Sequence, residues 1–163
     1  MTQRTILITG AGSGFGKGAA IELASRGHSV VATTETQEQA DALAAEHPEL
    51  TTIKLDVTSS DDIRQAAGLE IDVLINNAGM GVMAPMATVP MDKVRASFDV
   101  NVFGMVELTQ AVVPGMMGRG SGRIINVSSV AGKLASGVTA AQAATAITTL
   151  MQRLGETYPE TNK

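Results

Sequence analysis

Short apolar runs alternate with periodic, helix-prone segments along the chain. Apolar runs bounded by turn residues are typical of buried parallel strands, whereas apolar positions recurring every three or four residues are typical of helices. The pattern predicts strands near residues 5–9, 30–32, 52–55, 73–75 and 123–127, and helices near residues 14–25, 37–46, 60–67, 92–117 and 139–154. This alternation favours an α/β fold, a doubly wound parallel sheet of about five strands in the order 3-2-1-4-5. Ligands of such sheets bind at the carboxyl ends of the strands, where the order reverses.

A glycine-rich run separates the first predicted strand from the first predicted helix. It comprises Thr9, Gly10, Ala11, Gly12, Ser13, Gly14, Phe15 and Gly16. Glycine lets the backbone turn sharply and approach a pyrophosphate, and the N-terminus of the following helix presents unpaired N–H groups to an anion. A glycine cluster alone is usually a plain turn, but here it has the strand and helix context that the motif requires. The run therefore predicts a dinucleotide site in a Rossmann fold.

Composition and charge narrow the function classes. The length of 163 residues predicts a single domain, 1–163. With 12 basic and 16 acidic side chains, the net charge is -4, and the sequence has no run of basic residues. Nucleic acid is therefore not an expected partner. There is no cysteine, and His28 and His47 are not spaced as ligands, so no metal site is expected. The chain has neither an apolar run of membrane-spanning length nor a leader pattern, which predicts a cytoplasmic protein without a membrane partner.

Several further motifs follow in a specific order. They are Thr9-Gly10, Gly14 and Gly16 in the glycine-rich run, Asp56-Val57, Asn76-Asn77-Ala78-Gly79, Asn101-Val102-Phe103-Gly104 and Ser128-Ser129. On these residues the chain resembles the cofactor-binding part of the short-chain dehydrogenase/reductase family, over roughly residues 5–137. The resemblance implies an NAD(P)-dependent oxidoreductase that transfers hydride between nicotinamide and an alcohol or ketone. It places Asp56 and Val57 at the adenine, and Asn77, Ala78 and Gly79 in the cofactor site.

The same resemblance makes Asn101 and Ser129 the catalytic asparagine and serine. Taken without the other motifs, Asn101 could be a satisfied core amide and Ser129 an ordinary hydroxyl at a strand end. Asp56 could likewise only cap the turn that follows it. These alternatives stay open at the level of the sequence.

The tyrosine and lysine that complete the family's catalytic group are not matched. The resemblance places Ala141 at the tyrosine position and Thr145 at the lysine position, while Tyr158 near the C-terminus has no lysine at helical spacing. Reduction of a carbonyl by hydride needs a proton donor, and a phenol serves at neutral pH only when a nearby cation makes it more acidic. Asn101 and Ser129 would then be remnants, and we expect weak or no activity. The alternative is a non-catalytic nucleotide-binding or structural module.

The chain is also shorter than is usual in the family. It could be a reduced Rossmann unit, or residues 138–163 could correspond to a later helix of a longer relative. The alanine-rich composition of that segment fits both accounts.

The loop after the second predicted strand bears on the choice of cofactor. Thr34 and Glu35 stand where the ribose of the adenosine is expected. A carboxylate accepts a hydrogen bond from a 2′-hydroxyl and repels a 2′-phosphate, which favours NAD over NADP. Glu35 could instead simply face water, and Lys17 could assist a phosphate, so both cofactors stay open.

The predicted fifth strand and the helices near it suggest self-association. Without a sixth strand, residues 123–127 would leave unpaired backbone groups at the edge of the sheet. The two neighbouring helices carry apolar residues around much of their circumference: Val102, Val106, Val113, Ala143, Ile147 and Leu150. In the family that the chain resembles, these helices form a four-helix dimer interface. We expect a homodimer or larger homo-oligomer that binds a dinucleotide and a small alcohol or ketone.

Overall fold

A computed structural model describes residues 2–82, 84, 85 and 87–129 of the chain. The strands are β1 (Thr5–Ile8), β2 (Ser29–Thr34), β3 (Thr51–Lys54), β4 (Val73–Asn76) and β5 (Arg123–Asn126). The helices are α1 (Gly14–Ser25), α2 (Gln37–Glu46), α3 (Ser60–Ala66), α4 (Met91–Phe98) and α5 (Met105–Arg119), and a π-helical segment (Asp99–Gly104) joins α4 to α5.

The described strands form one parallel sheet in the order β3-β2-β1-β4-β5. At its centre, Ile6 of β1 pairs with Val30 of β2 on one side and with Val73 of β4 on the other. The predicted fold class and strand order are confirmed. Because the order reverses between β1 and β4, the loops that follow these two strands open a crevice at the carboxyl edge of the sheet.

Apolar side chains are buried on both faces of the sheet. Leu7 belongs to one core cluster together with Leu74 and Leu108, whereas its neighbour Ile8 belongs to a second cluster with Leu43. Successive strand residues point to opposite faces, so helices must cover both. Residues of α3 and α5 contribute to the first cluster, and residues of α1 and α2 contribute to the second. Burial on both sides is why the central strands β1 and β4 consist mostly of apolar residues.

Caps define where α2 and α3 begin. The Thr36 hydroxyl accepts a hydrogen bond from the Gln39 backbone N–H, and the Gln39 side chain accepts one from the Thr36 N–H, which forms a capping box. The Ser59 hydroxyl accepts a hydrogen bond from the Asp62 N–H at 3.3 Å. Both caps stand in loops at the carboxyl ends of β2 and β3, so they also set the course of two loops that border the crevice.

The predicted helix at 92–117 begins at Met91, ends at Arg119 and is interrupted by the π-helical segment. A hydrophobic pattern does not reveal this interruption, because a π turn adds one residue without changing the composition. The segment brings Gly104 against the loop after β3, where a Cβ would collide with the Val57 carbonyl oxygen and lie 2.9 Å from its carbonyl carbon. Contact with another part of the fold, rather than local sequence preference, requires glycine here.

Met1–Val127 form one compact unit. The predicted helix at 139–154, including Ala141 and Thr145, lies outside the described residues. What the sequence predicts for that segment, and for a single domain spanning 1–163, stays a prediction.

Candidate functional site

A cavity of about 850 Å³ lies at the carboxyl edge of the sheet. Its wall includes the predicted cofactor residues Gly10, Gly12, Ser13, Thr34, Glu35, Asp56, Val57, Asn77, Ala78 and Gly79. It also includes residues outside the predicted cofactor set: Gln39, Leu55, Thr58, Met80, Ala96, Asp99, Val100, Phe103, Gly104 and Glu107. Many of the second group come from α2, α4, the π-helical segment and α5, which approach the crevice only in the folded chain. The volume falls within the range of roughly 300–1,000 Å³ that is usual for small-molecule and cofactor sites.

The glycine-rich loop passes so close to the end of β4 that two of its glycines leave no room for a side chain. A Cβ on Gly10, whose φ is 64°, would lie 2.9 Å from the Ala78 Cα. A Cβ on Gly16 would collide with Asn77 Nδ2 and lie 2.5 Å from the Gly10 carbonyl oxygen. Gly14 meets nothing within 4 Å, but its φ of 57° favours glycine. The first two glycines therefore serve close packing, and the third serves backbone conformation.

Thr9 and Asn77 tie the end of β1 to the end of β4. The buried Thr9 hydroxyl oxygen accepts hydrogen bonds from the backbone N–H groups of Asn77, at 3.0 Å, and Ala78, at 2.9 Å. The Asn77 side-chain amide donates to the carbonyl oxygens of Thr9, at 2.9 Å, and Gly10, at 3.2 Å. Thr9 therefore joins the two loops by hydrogen bonds. Although it is a predicted site residue, it does not line the cavity.

Three other predicted site residues of the glycine-rich run also lie outside the wall. They are Gly14, Phe15 and Gly16. Phe15, in the first turn of α1, is 90% exposed. Ser13, which does line the cavity, is the N-cap of that helix, and its side chain makes no capping hydrogen bond. The described surroundings thus leave the Ser13 hydroxyl able to meet a ligand.

Asp56 lines the cavity and also caps the turn that follows it. Its Oδ1 accepts hydrogen bonds from the backbone N–H, at 2.8 Å, and from the hydroxyl, at 2.7 Å, of Thr58. The structure therefore shows the turn cap, while the contact of Asp56 with adenine stays a prediction. The capping bonds fix the orientation of the carboxylate beside the cavity.

A second carboxylate, Asp62, lies behind Asp56 and was not identified from the sequence. Asp62 is buried, and its Oδ2 accepts hydrogen bonds from the Asp56 N–H and from Lys54 Nζ, both at 2.8 Å. Burial alone would raise the pKa of Asp62, but the hydrogen bonds from Lys54 and the Asp56 amide outweigh it and hold the pKa below its usual value. The hydrogen bond to Asp62 correspondingly raises the pKa of Lys54.

The part of the cavity wall where the sequence predicts the ribose combines hydroxyl, amide and carboxylate groups. The buried Thr34 hydroxyl donates to the Thr36 carbonyl oxygen at 3.0 Å, so its oxygen can still accept a hydrogen bond. Glu35 and Gln39 also stand on the wall. Lys17, a candidate phosphate ligand, instead forms a 2.6 Å salt bridge with Glu46 of α2 and does not line the cavity.

The charged residues on the described cavity wall are all acidic. They are Glu35, Asp56, Asp99 and Glu107. No lysine, arginine or histidine occurs among the wall residues that the structure describes. Among the described wall residues, only backbone N–H groups and side-chain hydroxyl and amide groups could stabilise a bound anionic group.

Asn101 lies in the π-helical segment and is an exposed residue, not a core amide. Its Oδ1 accepts from the Met80 N–H at 2.8 Å, and its Nδ2 donates to the Met80 carbonyl oxygen at 2.7 Å and to the Ser97 hydroxyl at 3.1 Å. Asn101 thus holds the backbone of Met80, which lines the cavity, and the catalytic role of Asn101 stays a prediction. Ser129 follows the compact unit in the sequence, and its catalytic role stays a prediction.

The described residues, 2–82, 84, 85 and 87–129, contain neither a candidate metal-ligand cluster nor a membrane-spanning helix. Among them, no group of three or more histidine, cysteine, aspartate or glutamate side chains could hold a metal ion. None of their helices is long and apolar enough to cross a membrane.

The reversed sheet order and the glycine-lined crevice define a Rossmann-type nucleotide-binding fold. The sequence matches the family model described as short chain dehydrogenase over residues 4–162. The chain belongs to the short-chain dehydrogenase/reductase family.

Individual relatives agree with this assignment. The chain is 39% identical over 140 residues to retinol dehydrogenase 8 from Homo sapiens, covering 79% of this chain and 45% of that protein. It is 36% identical over 138 residues to L-xylulose reductase from Mesocricetus auratus, covering 83% and 57%. The chain spans about half the length of the curated relatives it matches.

Solved structures show the same fold. Serine dehydrogenase from Escherichia coli matches with a TM-score of 0.75 and 32% identity, over 93% of this chain and 76% of that chain. Gluconate 5-dehydrogenase from Burkholderia cenocepacia, in complex with NADP and tartrate, matches with a TM-score of 0.75 and 32% identity, over 98% and 67%.

Proposed function

We propose that this chain binds a nicotinamide dinucleotide in the cavity at the carboxyl edge of the sheet, and that it prefers NAD to NADP. The glycine-rich loop and the N-terminus of α1 would hold the pyrophosphate, Asp56 and Val57 the adenine, and Thr34 and Glu35 the ribose. The main support is the cavity of about 850 Å³, whose wall combines Gly10, Gly12 and Ser13 of the glycine-rich run with Asn77 and Ala78 after β4. When bound, the nicotinamide supplies or accepts a hydride.

The NAD preference rests on the charges of this chain's own residues. A 2′-phosphate on the ribose would approach the Glu35 carboxylate, and no described wall residue is a cation that could neutralise it. Lys17, the nearest candidate in the sequence, is engaged by Glu46. The gluconate 5-dehydrogenase relative holds NADP, so the preference does not follow from family membership.

Titrations with NADH and NADPH, followed by nicotinamide fluorescence, test the site and the preference together. We expect the unmodified chain to bind NADH more tightly than NADPH, and Glu35→Gln to narrow the difference by improving NADPH binding. Glu38→Gln is the matched control, because Glu38 is exposed on the same loop-helix junction but does not line the cavity. Tighter binding of NADPH than of NADH by the unmodified chain would contradict the preference, and binding of neither would contradict the site.

We further propose that these 163 residues by themselves show weak or no alcohol or ketone turnover, as a nucleotide-binding module of this oxidoreductase lineage. The support is the lack of a matched tyrosine and lysine, because a missing general acid commonly costs a factor of about 10²–10⁴ in rate. Turnover with a panel of alcohols and ketones tests this. Robust turnover that Ser129→Ala abolishes would overturn it, and added activity in Ala141→Tyr with Thr145→Lys would support the alignment.

Self-association through α5 and its surroundings is part of the same proposal. Val102 and Val106 are apolar and 39% and 42% exposed, and β5 ends the described sheet. Light scattering should find a homodimer or larger assembly that Val106→Glu weakens, whereas Gln110→Glu, a change at another exposed position of α5, preserves it. A monomer at micromolar concentration would refute the assembly. Unfolding of Val106→Glu would show that Val106 belongs to the protomer's own core.

A further inference from the structure

Two adjacent aspartates in the first turn of α3 have opposite environments. Asp61 is exposed and pairs with Arg64 of the same helix. Asp62 is buried and directs its carboxylate out of the helix, to Lys54 at the end of β3 and to the backbone N–H of Asp56. Helix capping does not require this arrangement, because the Ser59 hydroxyl already accepts from the Asp62 N–H.

The contacts of Asp62 converge on the residue that faces the cavity. Asp62 Oδ2 accepts from the Asp56 N–H at 2.8 Å, while the Asp56 carbonyl oxygen accepts from the Ser59 N–H at 3.0 Å and Asp56 Oδ1 accepts from Thr58. The backbone N–H, the backbone carbonyl and the carboxylate of Asp56 are therefore all held. Of these three restraints, only the one from Asp62 comes from a buried charge.

A buried carboxylate is costly unless it is paired and hydrogen-bonded. Lys54 supplies the counter-charge, and Asp62 in turn places a negative charge directly behind the Asp56 amide. A hydrogen bond from a backbone N–H to a charged acceptor is stronger and shorter than one to a neutral acceptor. The Lys54–Asp62 pair therefore sets the start of the loop that carries Asp56 and Val57 along the cavity wall.

We infer that Asp62 is a positioning residue for the adenosine end of the cavity, acting through the Asp56 N–H. The inference rests on the proposed dinucleotide binding, because it assigns the adenosine to Asp56 and Val57. It predicts that loss of the Asp62 charge weakens every ligand that contains adenosine by a similar factor, whether or not nicotinamide is present.

The experiment measures the dissociation constants of NADH and ADP for folded variants. Asp62→Asn keeps an acceptor of the same shape without the charge, Asp62→Ala removes the acceptor, and Asp61→Asn removes a neighbouring charge that does not reach Asp56. We expect Asp62→Ala to weaken NADH and ADP alike, by about tenfold, with a smaller loss in Asp62→Asn. Asp61→Asn should bind both ligands as tightly as the unmodified chain. A loss for NADH without an equal loss for ADP would overturn the inference.

Amide hydrogen exchange supplies a readout that needs no ligand. The Asp56 amide should exchange faster in Asp62→Asn than in the unmodified chain or in Asp61→Asn, while amides of the central strands remain protected. Unchanged exchange at Asp56 would overturn the inference even if the protein bound no dinucleotide. Failure of the unmodified chain to bind NADH and ADP, together with faster exchange at Asp56, would instead overturn the proposed function and leave the positioning contact supported.

Discussion

Replacement of Gly16 by alanine tests the close approach between the glycine-rich loop and β4. Gly16 is buried, and an added Cβ would collide with Asn77 Nδ2 and lie 2.5 Å from the Gly10 carbonyl oxygen and 3.1 Å from its carbonyl carbon. Gly10 contributes backbone atoms, which cannot rotate away. The Asn77 amide is held by its hydrogen bonds to the carbonyl oxygens of Thr9 and Gly10. The methyl group must therefore displace backbone or break these bonds.

The cost follows from these two effects. Overpacking a well-packed interior costs roughly 1–3 kcal/mol, and each lost hydrogen bond of Asn77 adds about 0.5–1.5 kcal/mol. The higher helix propensity of alanine relative to glycine stabilises the folded protein by about 1 kcal/mol and offsets part of this cost. If both hydrogen bonds of Asn77 are lost, the free energy of unfolding should fall by roughly 1–5 kcal/mol, and the melting temperature by roughly 2–20 °C.

Gly18→Ala is the matched control for this measurement. Gly18 lies on the same helix, and an added Cβ would meet nothing within 4 Å. Its replacement should stabilise the protein by up to about 1 kcal/mol. Urea titrations followed by circular dichroism at the helix band compare the two variants with the unmodified chain. If Gly16→Ala and Gly18→Ala unfold at the same urea concentration, the close approach of loop and strand is not a source of stability, and the reasoning fails.

Three further changes probe other contacts. Thr9→Val keeps the shape of the side chain but leaves the N–H groups of Asn77 and Ala78 without their acceptor. The free energy of unfolding, measured with urea, should therefore fall by roughly 2–4 kcal/mol. A decrease of less than half that size would mean that water replaces the hydroxyl. Thr36→Ala removes the N-cap of α2 and should cost about 1 kcal/mol by the same assay, whereas no change would contradict the capping box. Because the pKa of Asp62 is lowered in the folded protein, its contribution to stability is present above the unfolded value near about 4 and disappears as the pH falls through the folded pKa. The stability difference between the unmodified chain and Asp62→Asn should therefore shrink with falling pH, and a constant difference would count against the ion pair.

The fold and the glycine-rich run could be predicted from the sequence because both depend on local signals. Apolar runs and periodic segments located the five described strands and α1 to α3 within a few residues. The glycine-rich run follows β1 and extends into the first turn of α1, as its context required, and the strand order followed from the short strand-helix repeats. These signals involve neighbours in the sequence, so no tertiary information was needed to recognise them.

The sequence alone could not anticipate contacts made between distant segments. The S-x-x-D spacing from Ser59 to Asp62 is typical of a capping box, in which the acid turns back to the N-cap. In the fold, Asp62 instead reaches Lys54 at the end of β3 and the Asp56 N–H in the loop after it, both at 2.8 Å from its carboxylate. Lys17 likewise turns to Glu46, since α1 and α2 cover the same face of the sheet.

The sequence by itself determined which residues form the strands, where the chain turns, and that its glycine-rich loop suits a dinucleotide, because backbone preference and hydrophobic period are properties of short segments. Only the tertiary structure decided which side chains share the cavity. Gln39, Phe103 and Glu107 reach the wall because α2, the π-helical segment and α5 pack against the sheet at its carboxyl edge. The all-acidic charge of the described wall arises in the same way, since residues far apart in the chain meet there only after folding.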